Sequence, residues 1–189
     1  AIFARAGLLA PGVSQIFCTL AVKEVGASRT SIVAGSAPLF AATLAILLLD
    51  EPFEWPLALG AVLIVGAGAL LVGDTARSLD FRLIGIGYAF LATSLFTSRD
   101  VVVRWYSEDA ALGSVEAAAA ALAAGALVML AWAALERRGA LVTALASPAL
   151  LRFVPAGFFF GLSYVLLFAA VYRGKLTVVS PLVATEALW

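Results

Sequence analysis

Charged residues divide this sequence into long uncharged segments of nearly constant length. Seventeen uncharged residues separate Arg5 from Lys23, and twenty separate Arg29 from Asp50. A helix needs about 20 apolar residues to cross the hydrocarbon core of a bilayer. Six segments of this kind lie within the sequence and a seventh begins near Leu176. The pattern predicts a chain that crosses a membrane several times.

Two segments depart from the common length. The fourth, between Arg82 and Arg99, has 16 residues, so it spans a bilayer only if its helix continues past Arg99 towards Trp105. The stretch Gly139–Leu151 is uncharged but short, and it contains Pro148. We expect this stretch to lie in a loop or at the membrane interface.

Composition supports the same fold class and excludes several functions. Apolar residues form 63% of the chain and charged residues 13%, against about 45–50% and about 25% in soluble domains. The 12 basic and 12 acidic residues balance, which gives no basic surface for nucleic acid. There is no histidine and one cysteine, so we expect no metal site, no cofactor and no catalytic residue of the histidine-dependent kinds. The prediction is an all-α integral membrane protein, a polytopic helical bundle solvated by the lipid bilayer.

Two parts of the chain resemble each other. Ala21–Ser28 forms a tight basic turn before a segment containing Pro38, and Ala170–Thr177 forms one before a segment containing Pro181. The two copies are five spans apart, and an odd separation places equivalent helices in opposite directions through the membrane. Inverted repeats of this type are a feature of secondary transporters.

Glycines at helical spacing predict close helix contacts. Gly157 and Gly161 form a GxxxG pattern, and Gly60, Gly66 and Gly68 recur in the third segment. Small residues let the backbones of membrane helices approach each other. We therefore expect helix–helix contacts at these glycines.

The sequence also resembles the EamA family of the drug/metabolite transporter superfamily. The family pattern is a Ser/Arg-rich turn, a helix with one proline, an acidic residue at the end of that helix (here Glu51), and a Gly/Ala-rich partner helix. The matching stretches are VGASRTSIVAGSAPLF (25–40), LLLDEPF (47–53), LGAVLIVGAGALL (59–71) and, for the second copy, TVVSPLVATEAL (177–188).

The resemblance implies ten spans in two inverted five-helix repeats. Residues 1–74 would hold the last three helices of the first repeat, residues 75–82 the loop between repeats, and residues 83–189 the second repeat without the end of its fourth helix and without its fifth. The chain would thus be a fragment of a multi-pass protein of the bacterial inner (cell) membrane. Its implied function is that of a permease or exporter, which moves a small metabolite or drug-like solute by alternating access through a central cavity.

Glu186 is the sharpest candidate site residue. It lies about ten residues into its segment, roughly 15 Å along a helix and therefore near the middle of a bilayer. A charged side chain there costs about 2.5–3.5 kcal/mol or more, and such residues usually mark a substrate or ion pathway. Glu186 would bind a cationic group or carry a proton as the coupling ion. The alternative is a neutral carboxyl group in one interhelical hydrogen bond.

Further candidates for the substrate pathway are polar residues and prolines inside apolar segments. Pro38 and Pro181 should interrupt their helices and free backbone carbonyls, although a packing kink explains them equally well. The polar residues would face the cavity or join helices by hydrogen bonds. The remaining candidates are Ser14, Gln15, Ser36, Tyr88, Ser163, Tyr164, Ser180 and Thr185.

Charged residues at segment ends are candidate gates. Glu51 is read either as a gate or as an interfacial helix end. Arg99 is read either as a gate or as a residue at the membrane surface, next to an ion pair between Asp100 and Arg104 at i,i+4 spacing. The rival functions are a non-transporting sensor or assembly subunit and a lipid-modifying enzyme, and a homodimer is a candidate assembly.

Overall fold

The part of the protein described by the structure, a computed structural model, consists of helices joined by short turns. The described residues are 2–53, 55–56, 58–63, 66, 83–107 and 112–184. Residues 58–63 are also helical. The named helices are α1 (Ile2–Gly7), α2 (Ser14–Val25), α3 (Ala27–Ala34), α4 (Ala37–Leu48), α5 (Leu83–Ser107), α6 (Ser114–Ala146), α7 (Val154–Arg173) and α8 (Leu176–Ala184), with a π-helical turn at Leu8–Val13 and a 3-10 helix at Pro148–Phe153.

Four helical stretches of the described residues are long and apolar enough to cross a membrane. They are Ile2–Val25, Ala27–Leu48, Ser114–Glu136 and Leu150–Arg173. Each one coincides with a segment predicted from the spacing of charges. The helix of the fourth segment, α5, continues past Arg99 to Ser107 as predicted, but it is not among these four stretches.

Gly139–Leu151 was predicted to lie in a loop or at the membrane interface, and the loop is wrong for most of its length. Helix α6 runs on to Ala146, and the chain then forms the 3-10 helix. The sequence Ala-Leu-Val-Thr-Ala-Leu-Ala is rich in good helix formers, so the helix has no reason to end at Gly139. It ends just before Pro148, because a residue that precedes proline is disfavoured in the α conformation.

Two of the spanning stretches contain a break. The first is broken at Ala10, which is extended with φ −145° and ψ 121°, directly before Pro11. The second is broken between Ala34 and Ala37, and Pro38 lies in the first turn of α4. The interruption predicted at Pro38 is therefore present, whereas the one at Pro11 was not predicted. Pro181 lies inside α8, and that helix continues through it to Ala184.

The helices run alternately in opposite directions, with two recognisable ends to the bundle. At one end, Nζ of Lys23, near the end of α2, lies 4.0 Å from Oε1 of Glu136 in α6. At the other end, the ring of Phe3 lies 6.1 Å from the ring of Tyr172 at the end of α7, and Glu51 after α4 meets the start of α8. We call these the Lys23 end and the Glu51 end.

Helix α5 lies in the middle of the bundle. It contacts α1, α2, α3, α4, α7 and α8. Its buried residues include the polar side chains of Thr93, Thr97 and Arg99. A helix with these residues would be costly to expose to lipid, and its central position gives each of them protein neighbours.

Close helix contacts occur at glycines other than those predicted. A Cβ atom added at Gly7 of α1 would overlap the backbone of Ala121 in α6, and one added at Gly125 would lie 2.5 Å from Cγ of Pro11. Nothing among the described residues lies within 4 Å of an added Cβ at Gly157 or Gly161. The GxxxG prediction is thus wrong for close contacts with the described residues, because Gly157 and Gly161 border an open space beside α6. Gly60 and Gly66 also meet none of the described residues, and Gly68 lies outside them.

We predict that Gly7→Ala destabilises the protein, because a methyl group at this position has to displace backbone and not a flexible side chain. Overpacking of this kind costs about 1–3 kcal/mol. Thermal unfolding in detergent micelles should therefore show a lower midpoint for Gly7→Ala. Gly87→Ala on α5 is the matched control, since an added Cβ meets nothing there, and it should be neutral or stabilising. Equal midpoints for the two variants would contradict the packing of α1 on α6.

Candidate functional site

Glu51 joins the end of α4 to the beginning of α8. Its Oε1 accepts a hydrogen bond from the backbone N–H of Leu176 at 2.8 Å. Its Oε2 accepts one from the N–H of Thr177 at 3.0 Å and one from the Thr177 hydroxyl at 2.7 Å. The side chain is buried, with 9% of its surface exposed. We call this contact the Glu51 cap.

Local backbone geometry explains why Glu51 turns into the protein. Helix α4 ends at Leu48, and Asp50 then adopts a positive φ of 52°. Aspartate tolerates this left-handed conformation better than most residues. The reversal is held by a hydrogen bond from the N–H of Glu51 to the carbonyl of Ala45, 3.3 Å long. The chain thus folds back over its own last turn and points the carboxylate at α8.

The Glu51 cap provides hydrogen-bond acceptors for backbone N–H groups that have no partner within α8. The first N–H groups of any α-helix lack partners within the helix, and the helix dipole makes that end favourable for a negative charge. A carboxylate that receives backbone N–H donors forms charge-assisted hydrogen bonds, which are stronger than neutral ones. The cap therefore stabilises both the buried carboxylate and the start of α8.

We predict that Glu51→Gln lowers stability by about 1–2 kcal/mol, the range for loss of a helix cap with its dipole interaction. The amide keeps one acceptor but turns its NH₂ group towards a backbone donor. The neighbouring variant Asp50→Asn removes the same charge from an exposed position and retains a residue that accepts positive φ. Unfolding midpoints in detergent should fall for Glu51→Gln only. A similar loss in both variants would mean that net charge, and not the cap, is responsible.

Arg99 is buried in the bundle and is paired with its own neighbour in sequence. Its Nε and Nη2 donate to Oδ1 of Asp100 at 2.9 and 2.6 Å, and only 3% of its side chain is exposed. The guanidinium carbon lies 4.9, 5.5 and 6.0 Å from the ring centres of Tyr164, Phe96 and Phe168. Aromatic faces at such distances stabilise a cation.

This geometry corrects the predicted surface ion pair. Asp100 bonds to Arg99, and Arg104 instead has Nη1 3.4 Å from Oγ of Ser107 and 3.5 Å from the carbonyl oxygen of Tyr172. The physical reason is that α5 lies inside the bundle, so the Arg99 face meets α7 and not water. A charge in such surroundings needs its counterion at contact distance.

We predict strong coupling between Arg99 and Asp100. Removing one partner of a buried pair costs about 3–5 kcal/mol because the other charge stays uncompensated. Arg99→Met and Asp100→Leu should each lower the unfolding midpoint sharply, and the double variant should recover much of the loss. Strictly additive effects in this double-mutant cycle would show that the two side chains do not form a pair.

Among the described residues, two open cavities between helices stand out. The larger, about 650 Å³, lies between α4, the break before it, and α5. The smaller, about 460 Å³, lies beside the break in the first span and includes Gln15. The larger is lined by Ser36, Leu39, Phe40, Thr43, Leu44, Phe90, Ser94, Thr97 and Ser98. The smaller is lined by Pro11, Gln15, Leu122, Gly125, Ala126, Met129, Gly157, Phe160 and Gly161.

The predicted pathway residues that the structure describes do not form one site. Ser36 lines the larger cavity and Gln15 the smaller one. Tyr164 packs on Arg99, while Tyr88 lies with its ring 5.8 Å from that of Phe17. The others are the buried residues Ser14, Pro38 and Pro181, the half-buried Ser180, and the exposed Ser163, whose hydroxyl donates to the carbonyl of Phe160. Thr185 and Glu186 lie outside the described residues.

Sequence reasoning missed the hydroxyl residues of α5. Ser94 and Ser98 are four residues apart, so they share one face of the helix, and Thr97 lies beside them. A run of four hydroxyl residues from Thr93 to Ser98 within a predicted span was the available signal. The partner of Glu51 was also missed, because nothing local in the sequence relates Glu51 to Thr177.

Together, the four spanning stretches and the polar central helix define a multi-pass helical membrane protein. Part of the chain also matches a known protein family. Residues 1–73 match the model of the EamA-like transporter family. This match confirms the resemblance read from the sequence over that segment. No curated protein and no solved structure gives a significant match to the chain.

Proposed function

We propose that this chain forms most of a secondary transporter that moves a small solute across a bacterial inner membrane by alternating access between two inverted repeats. The observation that carries the proposal is the Glu51 cap. It joins the end of α4 to the start of α8, which this proposal assigns to the first and the second repeat. Such a contact between repeats can open and close while each repeat stays folded.

The directions of the two proline-bearing segments support the inverted arrangement. The segment with Pro38 begins at the Lys23 end and finishes at the Glu51 end, whereas α8, with Pro181, begins at the Glu51 end. The two helices are in contact and run in opposite directions. The family match ends at residue 73, next to the proposed end of the first repeat at residue 74.

In this proposal Glu51 is the gate at its end of the bundle. Closing forms three hydrogen bonds to α8, and opening exchanges them for bonds to water. Exchange of this kind changes the free energy only slightly, since the net value of a hydrogen bond is about 0.5–1.5 kcal/mol. Arg99 is held by Asp100 and three rings, so we assign it to the packing of α5 on α7 and not to gating. Proton coupling through Glu186 and assembly as a homodimer stay predictions.

The experiment is solute flux in proteoliposomes with the gate held shut. Glu51→Cys and Thr177→Cys, in a Cys18→Ser background, are bridged by a short bifunctional thiosulfonate that a reductant removes. A panel of labelled amino acids, sugars and aromatic amines should include solutes that enter faster than into protein-free liposomes. Bridging should abolish this uptake, and reduction should restore it.

Two controls separate the parts of the proposal. The control pair, Asp50→Cys with Thr177→Cys, has one of its cysteines outside the cap. The same treatment should therefore leave its flux unchanged. Single cysteines at Ser28 and Lys175, which precede the two proline-bearing helices, should react with an impermeant maleimide from opposite sides of the membrane. Labelling from the same side would rule out inverted repeats, and flux that survives bridging would rule out a gate at Glu51.

A further inference from the structure

We propose that the larger cavity, between α4 and α5, is the solute site and that it takes uncharged amphipathic solutes with both a hydrogen-bond donor and an acceptor, such as a primary amide on an apolar body. This inference rests on the proposed transport function and adds the class of solute to it. It depends on the hydroxyl groups of the two walls and on the lack of charge among the described residues that line them.

The α5 wall has two hydroxyl groups that are available to a solute. Ser94 and Thr97 line the cavity, and neither hydroxyl forms a hydrogen bond with another described residue. A helical threonine commonly donates to its own helix, as Thr93 does to the carbonyl of Ala89. Thr97 is only 2% exposed, and a buried hydroxyl without a partner is costly. A solute in the cavity would supply that partner, and each hydroxyl can both donate and accept.

The α4 wall supplies acceptors. Ser36 and Thr43 line the cavity, and their hydroxyl groups donate to the backbone carbonyls of Val33 and Leu39. With the single hydrogen of each hydroxyl committed, the lone pairs of its oxygen stay available. A solute group that donates to the α4 wall and accepts from the α5 wall therefore matches the cavity better than a group that does only one of these.

The rest of the wall suits an apolar body. Phe40 and Phe90 lie edge to face with ring centres 5.0 Å apart at 84°, and Leu39 and Leu44 complete the apolar surface. A cavity of about 650 Å³ falls in the usual range for small-molecule sites, which combine apolar walls with a few polar groups.

A charged solute finds no counterion in this cavity. No charged side chain lines it among the described residues, and Arg99, which follows Ser98 in the chain, is bonded to Asp100. An ion would lose its water in a low dielectric without gaining an opposite charge, which is costly. A hydrocarbon would instead leave the buried hydroxyl of Thr97 without a partner. An uncharged polar group avoids both costs.

The test measures how probes of one shape protect a thiol in the cavity. Leu39→Cys and Leu44→Cys, which replace apolar lining residues, are made separately in the Cys18→Ser background and treated with N-ethylmaleimide in neutral detergent. The probes are 3-phenylpropanamide, 3-phenylpropylamine, 3-phenylpropanoate and propylbenzene. We expect the amide to halve the reaction rate at a concentration about tenfold or more below that of any other probe, equivalent to about 1.4 kcal/mol. Leu162→Cys on α7, with 41% exposure at Leu162 against 37% at Leu39, controls for uptake of the probes by micelles.

Two substitutions on α5 test the hydroxyl groups directly. Ser94→Ala and Thr97→Val, each added to a cavity cysteine, should raise the half-protecting concentration of the amide about three- to tenfold, the value of one hydrogen bond. Protection by propylbenzene should not change. Thr93→Val is the matched control, since the Thr93 hydroxyl donates to Ala89 and Thr93 is not a lining residue. It should leave protection by the amide unchanged.

Equal protection by the amide and propylbenzene, equal or stronger protection by either ion, or no protection by any probe would overturn the inference. So would unchanged protection by the amide in both hydroxyl variants. Two cysteine positions keep the test decisive if one variant does not fold. The measurement needs no transport, so its failure leaves the gate experiment unaffected. Conversely, the expected protection in a protein without flux would leave the site in place and remove the transport mechanism.

Discussion

The requirement that polar groups inside a bilayer find partners within the protein organises this structure. Lipid offers no hydrogen bonds, so every buried charge and every free helix end needs a partner in the chain. Helix α5 carries Arg99, Asp100 and a set of hydroxyl residues, and it lies at the centre with helices around it. The more apolar stretches form the surroundings and present their leucine and phenylalanine side chains outward. The central position of α5 thus agrees with its polar residues.

The same requirement explains the contact at Glu51. A helix that begins within the bundle leaves N–H groups without partners, and a buried carboxylate also needs donors. The two kinds of group form hydrogen bonds with each other here. The backbone N–H groups of Leu176 and Thr177 both donate to the Glu51 carboxylate. Since the two partners come from distant parts of the chain, the cap holds the fold together over a long sequence separation. A contact with only two or three hydrogen bonds can still open without unfolding either helix, which a gate requires.

Sequence reasoning succeeded where the signal is local and failed where it depends on neighbours. The spacing of charges located the four spanning stretches and the continuation of α5 past Arg99, because length and hydropathy decide which segments can span. The glycine pattern at Gly157 and Gly161 did not locate helix contacts, since a small residue permits close approach but does not specify a partner. The partners of Gly7 and Gly125 lie in other helices. Arg99 was read as either a gate or a residue at the membrane surface, and its burial was missed for the same reason: it results from the position of α7, which no local pattern reveals.

The two helix breaks, at Pro11 and at Pro38, differ in their surroundings. Both occur at a proline and both border a cavity. At Pro11 the break lies against Gly125, and an added methyl group there would meet the proline ring, so this break is tightly packed. At Pro38 the break leads into the hydroxyl-lined cavity, and α4 extends from it to the Glu51 cap. A movement of α4 about its broken end would therefore change the cavity and the cap together. In the proposed transporter, a single short helix thus connects this cavity to the gate.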